Sequence, residues 1–168
     1  DRATAALAFK NAAELYRQSL SLRQAADPMI PALLLHLAQA LSNAGLGKEA
    51  AETYLQLASV ITNAEERRSF LRRAAEEYFR CGQFDLGLAT IKPLLASIGM
   101  TLPSTIIGGK LSKNFYSCLL RLRGLGFVER AEKDIQASEL EKLDICWTVI
   151  QGLGTGALMR GMDLQVRH

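Results

Sequence analysis

Apolar residues recur every three or four positions along most of the chain, and polar residues fill the positions between them. This spacing is typical of amphipathic α-helices, which bury one side and expose the other. It predicts helices over residues 5–22, 32–44, 48–61, 64–81 and 84–98, a sixth over 105–123, and further helices after residue 138. The pattern therefore predicts an all-α fold.

Short polar and glycine-containing stretches mark where these helices begin and end. Asn63 is a capping residue for the helix that follows it, and Ser138 with Glu141 has the spacing of a capping box. The stretch "GLGTG" at residues 152–156 predicts a bend, with a last helix starting near Met159. The helix before that bend is expected to bury four apolar side chains. They are Leu140, Leu143, Trp147 and Ile150.

A sequence repeat of 37 to 38 residues runs through the first hundred positions. "AAELY" at residues 12–16 returns as "AAETY" at 50–54, which is 38 residues later. Gly45 and Gly82 precede the second and third copies and are 37 residues apart. Repeats of this length indicate stacked helix–turn–helix units, since one unit alone cannot cover its apolar face. Glycine suits the bend because it adopts positive φ without steric cost.

The small and bulky positions within these copies resemble the tetratricopeptide repeat. One unit matches through Leu34, Leu37, Ala38, Leu41, Gly45, Ala50, Tyr54 and Leu57, and the next through Leu71, Ala74, Ala75, Tyr78, Gly82, Gly87, Ile91 and Leu94. The resemblance implies a right-handed α–α superhelix of stacked tetratricopeptide-like hairpins. It implies a single helical-repeat domain over residues 1–168, with units at about 1–24, 31–62 and 64–99 and divergent helices over 105–168.

Longer stretches resemble one bacterial architecture. They are "ALAFKNAAELYRQSL", "RRAAEEYFRCGQFDLGLATIKPLLASIGMTLP" and "ELEKLDICWTVIQGLGTGALMRGMDLQVRH". They are similar to the helical repeat region of large serine/threonine protein kinases that also carry an AAA-like ATPase domain. The resemblance implies a regulatory, protein-binding module within such a kinase, with a structural spacer or self-association segment as the alternative. The kinase sequence motifs themselves are not in this chain, so no kinase activity is expected of it.

The tetratricopeptide resemblance also implies where a partner would bind. In that fold the first helix of each unit lines a groove, which takes a peptide or another domain of the same chain. The positions that match the groove are Leu35, Gln39, Asn43, Arg72, Glu76, Phe79 and Arg80. The mixture of an aromatic ring with arginines suits a peptide that carries apolar and acidic groups.

A second candidate surface is basic. No Asp or Glu occurs between Leu86 and Val128. The helix predicted over residues 105–123 has an apolar stripe at Ile107, Leu111, Phe115, Cys118 and Leu122, and four basic residues away from it at Lys110, Lys113, Arg121 and Arg123. Such a helix suits an acidic partner or an anionic membrane surface, and a merely solvated face is the alternative.

Candidate chemistry is weak throughout the sequence. The stretch before Lys48 resembles a phosphate-binding loop only superficially, because Ser42 stands where the first glycine belongs and Glu49 follows the lysine. His36 has no catalytic partner placed by sequence. Acidic residues among the arginines of residues 65–80 are interpreted as surface ion pairs. We therefore predict no catalytic, cofactor-binding or metal-binding residue and no enzyme activity.

Composition fits this interpretation. The chain has 168 residues, of which 49% are hydrophobic and 22% charged, and its net charge of +3 does not indicate nucleic acid as a partner. Cys81, Cys118 and Cys146 lack zinc-site spacing and are interpreted as buried, reduced thiols of a cytoplasmic protein. No apolar run reaches the length of a transmembrane segment. Homo-oligomerisation stays an open alternative.

Overall fold

The computed structural model describes residues 2–24, 27–100 and 135–166, and side chains of the last segment up to residue 152. These residues form six α-helices and contain no strand, which confirms the all-α prediction. The helices are α1 (Arg2–Ser21), α2 (Ile30–Asn43), α3 (Gly47–Val60), α4 (Ala64–Arg80), α5 (Phe84–Ser97) and α6 (Ala137–Val166). The boundaries of α2 to α5 lie within two residues of the predicted ones.

Two glycine turns join the helices into hairpins, α2 with α3 and α4 with α5. Gly45 and Gly82 both have a φ of +78°, as expected of a bend. In the first turn the Leu46 N–H donates to the Leu41 carbonyl at 2.9 Å, and the second turn repeats this bond 37 residues later at 2.8 Å. This six-to-one bond ends a helix by satisfying one of its last carbonyls. The backbone here closes helices and does not form a phosphate loop.

Packing between helices follows chain order through α5, and small residues allow the close approach. α1 packs on α2, α2 on α3, α3 on α4 and α4 on α5. Ala38 and Ala75, 37 residues apart, have no exposed surface, and Ala50 and Gly87 are likewise a buried pair at that interval. One core lies between α2, α3 and α4. It comprises Leu34, Ala38, Ala51, Tyr54, Leu57, Ala74 and Tyr78.

The start of α4 confirms the predicted cap. The Asn63 side-chain oxygen accepts hydrogen bonds from the backbone N–H groups of Glu65 and Glu66, at 2.9 and 3.3 Å. These are two of the N–H groups that have no partner within the helix itself. The acidic side chains of the same two residues also lie favourably at the positive end of the helix dipole.

The C-terminal part differs from the prediction in three ways, two of which concern the ends of its helices. α6 is one continuous helix from Ala137 to Val166, so the bend predicted at residues 152–156 is wrong. Glycine weakens a helix by about 1 kcal/mol per residue without forcing it to end, and no proline occurs there. The predicted capping box is also wrong. The helix starts one residue before Ser138, its first bonds go to the Gln136 carbonyl, and the Glu141 carboxylate binds another helix.

The buried face of α6 is the third correction. Leu143, Trp147 and Ile150 are exposed over about 60% of their surface, at 62%, 60% and 63%, and were predicted to be buried. Burial falls on the opposite face of the helix instead. Its members are Ile145, Thr148, Val149 and Gly152, which face α4 and α5. The helix predicted over residues 105–123 lies outside the described residues.

Candidate partner-binding surface

α6 lies against α4 on the side where the groove was predicted. The Arg72 guanidinium is 3.8 Å from a carboxylate oxygen of Asp144 and donates to the Thr148 hydroxyl at 3.5 Å. The guanidinium also pairs with Glu76 of its own helix at 3.6 Å. This i,i+4 contact confirms one of the ion pairs predicted among residues 65–80. Arg72 therefore holds α6 in place with the same guanidinium that was predicted to face a partner.

Phe79 is the second groove residue that contacts α6. Only 5% of its surface is exposed, and its ring packs in a core that α4, α5 and α6 share. Gly87 of α5 and Gly152 of α6 lie so close to the ring that a Cβ at either position would overlap it. The ring thus fits between two helices because both present glycine. In this structure Phe79 is part of the core and not of an open surface.

The α2 members of the predicted groove remain at or near the surface. Gln39 and Asn43 are exposed, whereas Leu35 is half-buried against the first core. Arg80 at the end of α4 is exposed as well. The structure therefore places the predicted residues in two groups. Gln39, Asn43 and Arg80 are accessible, whereas Arg72, Glu76 and Phe79 lie at or near the contact with α6.

A buried carboxylate links α2 to α4 beside the exposed group. Glu77 is only 7% exposed, so its interpretation as a surface ion-pair residue was wrong. The Ser42 hydroxyl donates to its carboxylate at 2.7 Å, and the Arg80 guanidinium donates to the same oxygen at 2.8 Å. A buried charge needs such partners, because an unpaired one would carry a large desolvation cost. The network fixes the side chain of Arg80 near Ser42.

Arg68 and Glu141 form the strongest polar contact between α4 and α6. The guanidinium donates through Nε at 2.5 Å and through Nη2 at 3.0 Å to the two carboxylate oxygens. The hydrogen bonds from Arg68 lower the pKa of Glu141, and the same pairing raises the pKa of Arg68. Sequence reasoning missed this contact. The available signal was complementary charge at helical spacing, with Arg68 and Arg72 on α4 facing Glu141 and Asp144 on α6.

A cleft of about 900 Å³ opens at the other end of the interface between α4 and α6, where the end of α4 and the start of α5 meet α6. Phe84 and Ile150 supply most of the apolar wall, to which the largely buried Phe79 adds little surface, and Glu76 and Arg80 supply charge. Its remaining described lining residues are Cys81, Gly82, Thr148, Gln151 and Gly152. A volume of this size accommodates several side chains of a peptide.

The other candidate groups show no converging chemistry. The exposed His36 ring stacks on Tyr16, with ring centroids 5.7 Å apart. Cys81 is exposed and Cys146 half-buried, so the prediction that these thiols are buried is wrong for Cys81. Among the residues that the structure describes, no cluster of His, Cys, Asp or Glu could hold a metal ion. Cys118 lies outside them, as does the predicted basic face of Lys110, Lys113, Arg121 and Arg123.

No helix in the described part of the chain has the length and hydropathy that crossing a bilayer requires. Comparison with known proteins found no matching family, no matching curated protein and no matching solved structure.

Proposed function

We propose that this chain is a protein-binding repeat module that belongs to a bacterial signalling serine/threonine kinase and works in the cytoplasm. Its helices would continue as a right-handed superhelix of tetratricopeptide-like hairpins. Two features support this proposal. The turns at Gly45 and Gly82 share one geometry, and the buried positions of the two hairpins recur at an interval of 37 residues. Modules of this kind act by offering an extended surface, and we propose no catalytic step or cofactor.

The cleft at the end of α4 carries the proposal. It combines apolar wall from Phe84 and Ile150 with the guanidinium of Arg80, which the Ser42–Glu77 network holds at the rim. A peptide with an apolar side chain and a neighbouring carboxylate would match both features. The apolar side chain would pack on Phe84 and Ile150, and the Arg80 guanidinium would donate hydrogen bonds to the carboxylate. This is the partner chemistry that the sequence predicted, at a site that retains only part of the predicted groove.

Blocking the cleft tests the proposal. Peptides from a displayed random library are selected on the purified chain with Cys118→Ser and Cys146→Ser, which leaves Cys81 as the thiol beside the cleft. A bulky maleimide on Cys81 should weaken the selected peptides by tenfold or more. The matched control adds Cys81→Ser and carries the same label on Lys92→Cys, an exposed position of α5 outside the cleft. Failure to select peptides, or equal binding to all forms, would contradict the proposal.

A second candidate function is a structural spacer that sets domain geometry or self-association. The observation in its favour is that α6 binds Arg72 and encloses Phe79, so this chain fills part of its own predicted groove. Replacing this region in the proposed parent kinase with an unrelated helical repeat of equal length separates the two functions. A spacer role would survive the exchange, whereas a binding role would not. Light scattering of the isolated chain over a hundredfold concentration range tests self-association.

A further inference from the structure

α6 buries its side chains in the register of the repeat. The core-facing positions of α2 are Leu34, Leu37, Ala38 and Leu41, and those of α4, 37 residues later, are Leu71, Ala74, Ala75 and Tyr78. All of them are buried except Leu71, which is half-buried. The buried positions of α6 follow those of α4 by 74 residues, twice the interval, and are Ile145, Thr148, Val149 and Gly152. α6 therefore repeats the packing pattern of the first helix of a hairpin.

The contacts between these helices follow the same register. The Ser42 hydroxyl of α2 donates to Glu77 of α4. Phe79, which stands 37 residues after Ser42, packs against Gly152 of α6. Equivalent side chains of α2 and α4 thus each reach the next helix of the same kind. We call these three helices the α2–α4–α6 row.

The outer positions of the row are equivalent too, but their chemistry changes from helix to helix. They are Ala32, His36 and Gln39 on α2, Ser69, Arg73 and Glu76 on α4, and Leu143, Trp147 and Ile150 on α6. The α2 set is exposed, the α4 set is half-buried, and each member of the α6 set is at least 60% exposed. Since α2 and α4 pack without large apolar side chains there, packing does not explain the apolar set on α6. Such a patch favours contact with another apolar surface.

This apolar set is continuous with the cleft at the end of α4. Ile150 belongs to both, and Arg80 lies at the rim of the cleft with its side chain 60% exposed. From Ile150 the set extends back to Leu143 over about 11 Å of helix. The charge of Glu76, the acidic residue in the lining, is engaged by Arg72 at 3.6 Å. The combined surface is therefore cationic at one end and apolar along the rest, which matches a ligand with the complementary order of groups.

We propose that the peptide partner of the cleft continues along α6, with its carboxylate at Arg80 and its apolar side chains on Ile150, Trp147 and Leu143. The inference rests on the proposed peptide-binding function and specifies the ligand. An extended peptide advances about 3.3 Å per residue, so three or four residues cover the apolar set. The partner is thus a segment with one acidic residue at the end of a short apolar run, and acidic residues within the run would weaken its binding.

Trp147 reports on this contact because it is the one tryptophan in the chain. The experiment uses the selected peptides whose binding a label on Cys81 weakens. Their binding should shift Trp147 emission to the blue and lower its quenching by acrylamide. Leu143→Gln and Trp147→Gln should each weaken binding by about tenfold, as expected for side chains central to a contact. Val60→Gln is the matched control, since Val60 is an exposed apolar residue of α3 outside the row, and should leave affinity unchanged.

The order of groups is tested with the peptide. Replacing its acidic residue by the matching amide should weaken binding to the wild-type chain by about tenfold, and should have little effect on an Arg80→Gln chain. Far-UV circular dichroism checks that each variant keeps its helices. An equal effect of the amide on both chains would place the carboxylate elsewhere and overturn the proposed order.

The remaining outcomes separate this inference from the function on which it rests. Peptides that the Cys81 label blocks but that bind Trp147→Gln and Leu143→Gln at full affinity would overturn the inference and leave the cleft as the whole site. Trp147 already shielded from acrylamide in the free chain would overturn it as well, and shielding that appears only at high concentration would identify a second copy as the occupant. Failure to select any peptide would contradict both proposals.

Discussion

Arg68 of α4 and Glu141 of α6 form a two-pronged ion pair that joins helices separated by 73 positions in the sequence. Arg72 and Asp144 lie one turn further along both helices, at 3.8 Å. Because the contacts advance in the same direction on both helices, α6 runs parallel to α4. The charged contacts lie at one end of the interface, and the packing of Phe79 against Gly152 lies at the other.

The Arg68–Glu141 pair predicts that the docking of α6 weakens in acid. The pKa of Glu141 lies below its usual value of 4.5, so the folded state favours the ionised carboxylate. The stabilisation is therefore complete above about pH 4.5 and is lost as the pH falls through the lowered pKa. About a third of the Arg68 side chain is exposed, at 35%, so solvent screening limits the effect to about 1 kcal/mol. Hydrogen exchange of α6 amides should accelerate at low pH more than that of α3 amides.

Glu141→Gln should reproduce this loss at neutral pH. The amide cannot form the ion pair, so the exchange rate of α6 amides should rise about fivefold at pH 7, equivalent to about 1 kcal/mol. The remaining pH dependence between 3 and 5 should shrink. Glu139→Gln changes an exposed carboxylate two residues earlier, in the first turn of α6, and serves as the control. An identical pH response in Glu141→Gln and the wild-type chain would contradict the assignment.

Gly152 should not tolerate alanine, although alanine is the better helix former. A methyl group there would overlap the Phe79 ring, which is held on the other side by Gly87. Overpacking of this kind costs about 1–3 kcal/mol, against a gain in helix propensity of about 1 kcal/mol. We expect Gly152→Ala to loosen α6, seen as faster proteolysis or hydrogen exchange of that helix.

A smaller side chain at position 79 should relieve the overlap. The double variant Phe79→Leu with Gly152→Ala should dock α6 more firmly than the sum of the two single variants predicts, with a coupling of about 1 kcal/mol. Phe79→Leu alone serves as the reference because it creates space on its own. Strict additivity of the two changes would show that the ring does not set the requirement for glycine.

The fold of α2 to α5 could be predicted because local signals agree with tertiary packing there. Gly45 and Gly82 are required by backbone geometry, and Asn63 caps its helix within three residues. The repeat interval places fully buried alanines at equivalent positions of the two hairpins, as at Ala38 and Ala75. The turns and the cap depend only on residues close together in sequence, and the alanines recur at a fixed interval. All of these signals can therefore be recognised in one sequence.

The face of α6 could not be predicted because the sequence offers two usable stripes. Leu143, Trp147 and Ile150 are the more apolar set, yet Ile145, Val149 and Gly152 are buried. Which stripe is buried depends on the residues of α4 that α6 packs against. Phe79 needs a glycine opposite its ring, and Arg68 needs a carboxylate, and both requirements come from residues more than 70 positions earlier. For the same reason, a groove inferred from α2 and α4 alone did not anticipate α6.

The two glycine turns predict a matched pair of stability effects. Nothing lies within 4 Å of a Cβ built on Gly45 or Gly82, so substitution there carries a conformational cost without a clash. Alanine at a positive φ costs about 1–2 kcal/mol, partly offset by the reduced entropy of its unfolded chain. Gly45→Ala and Gly82→Ala should each lower the free energy of unfolding by about 1 kcal/mol in urea titrations. Asparagine should cost less at both sites, and an alanine variant as stable as the wild type would contradict the argument.

The buried carboxylate of Glu77 predicts that removing its charged partner is worse than removing both. Arg80→Ala leaves the carboxylate with only the Ser42 hydroxyl, and we expect a loss of about 2 kcal/mol, against about 1 kcal/mol for Ser42→Ala. Adding Glu77→Leu to Arg80→Ala should recover part of that loss, since no buried charge then remains. Urea unfolding of the wild-type chain and these three variants measures the differences, with Arg67→Ala, an exposed arginine at the start of α4, as the control. A double variant less stable than Arg80→Ala would mean that Glu77 contributes packing that leucine cannot supply, and the electrostatic account would fail.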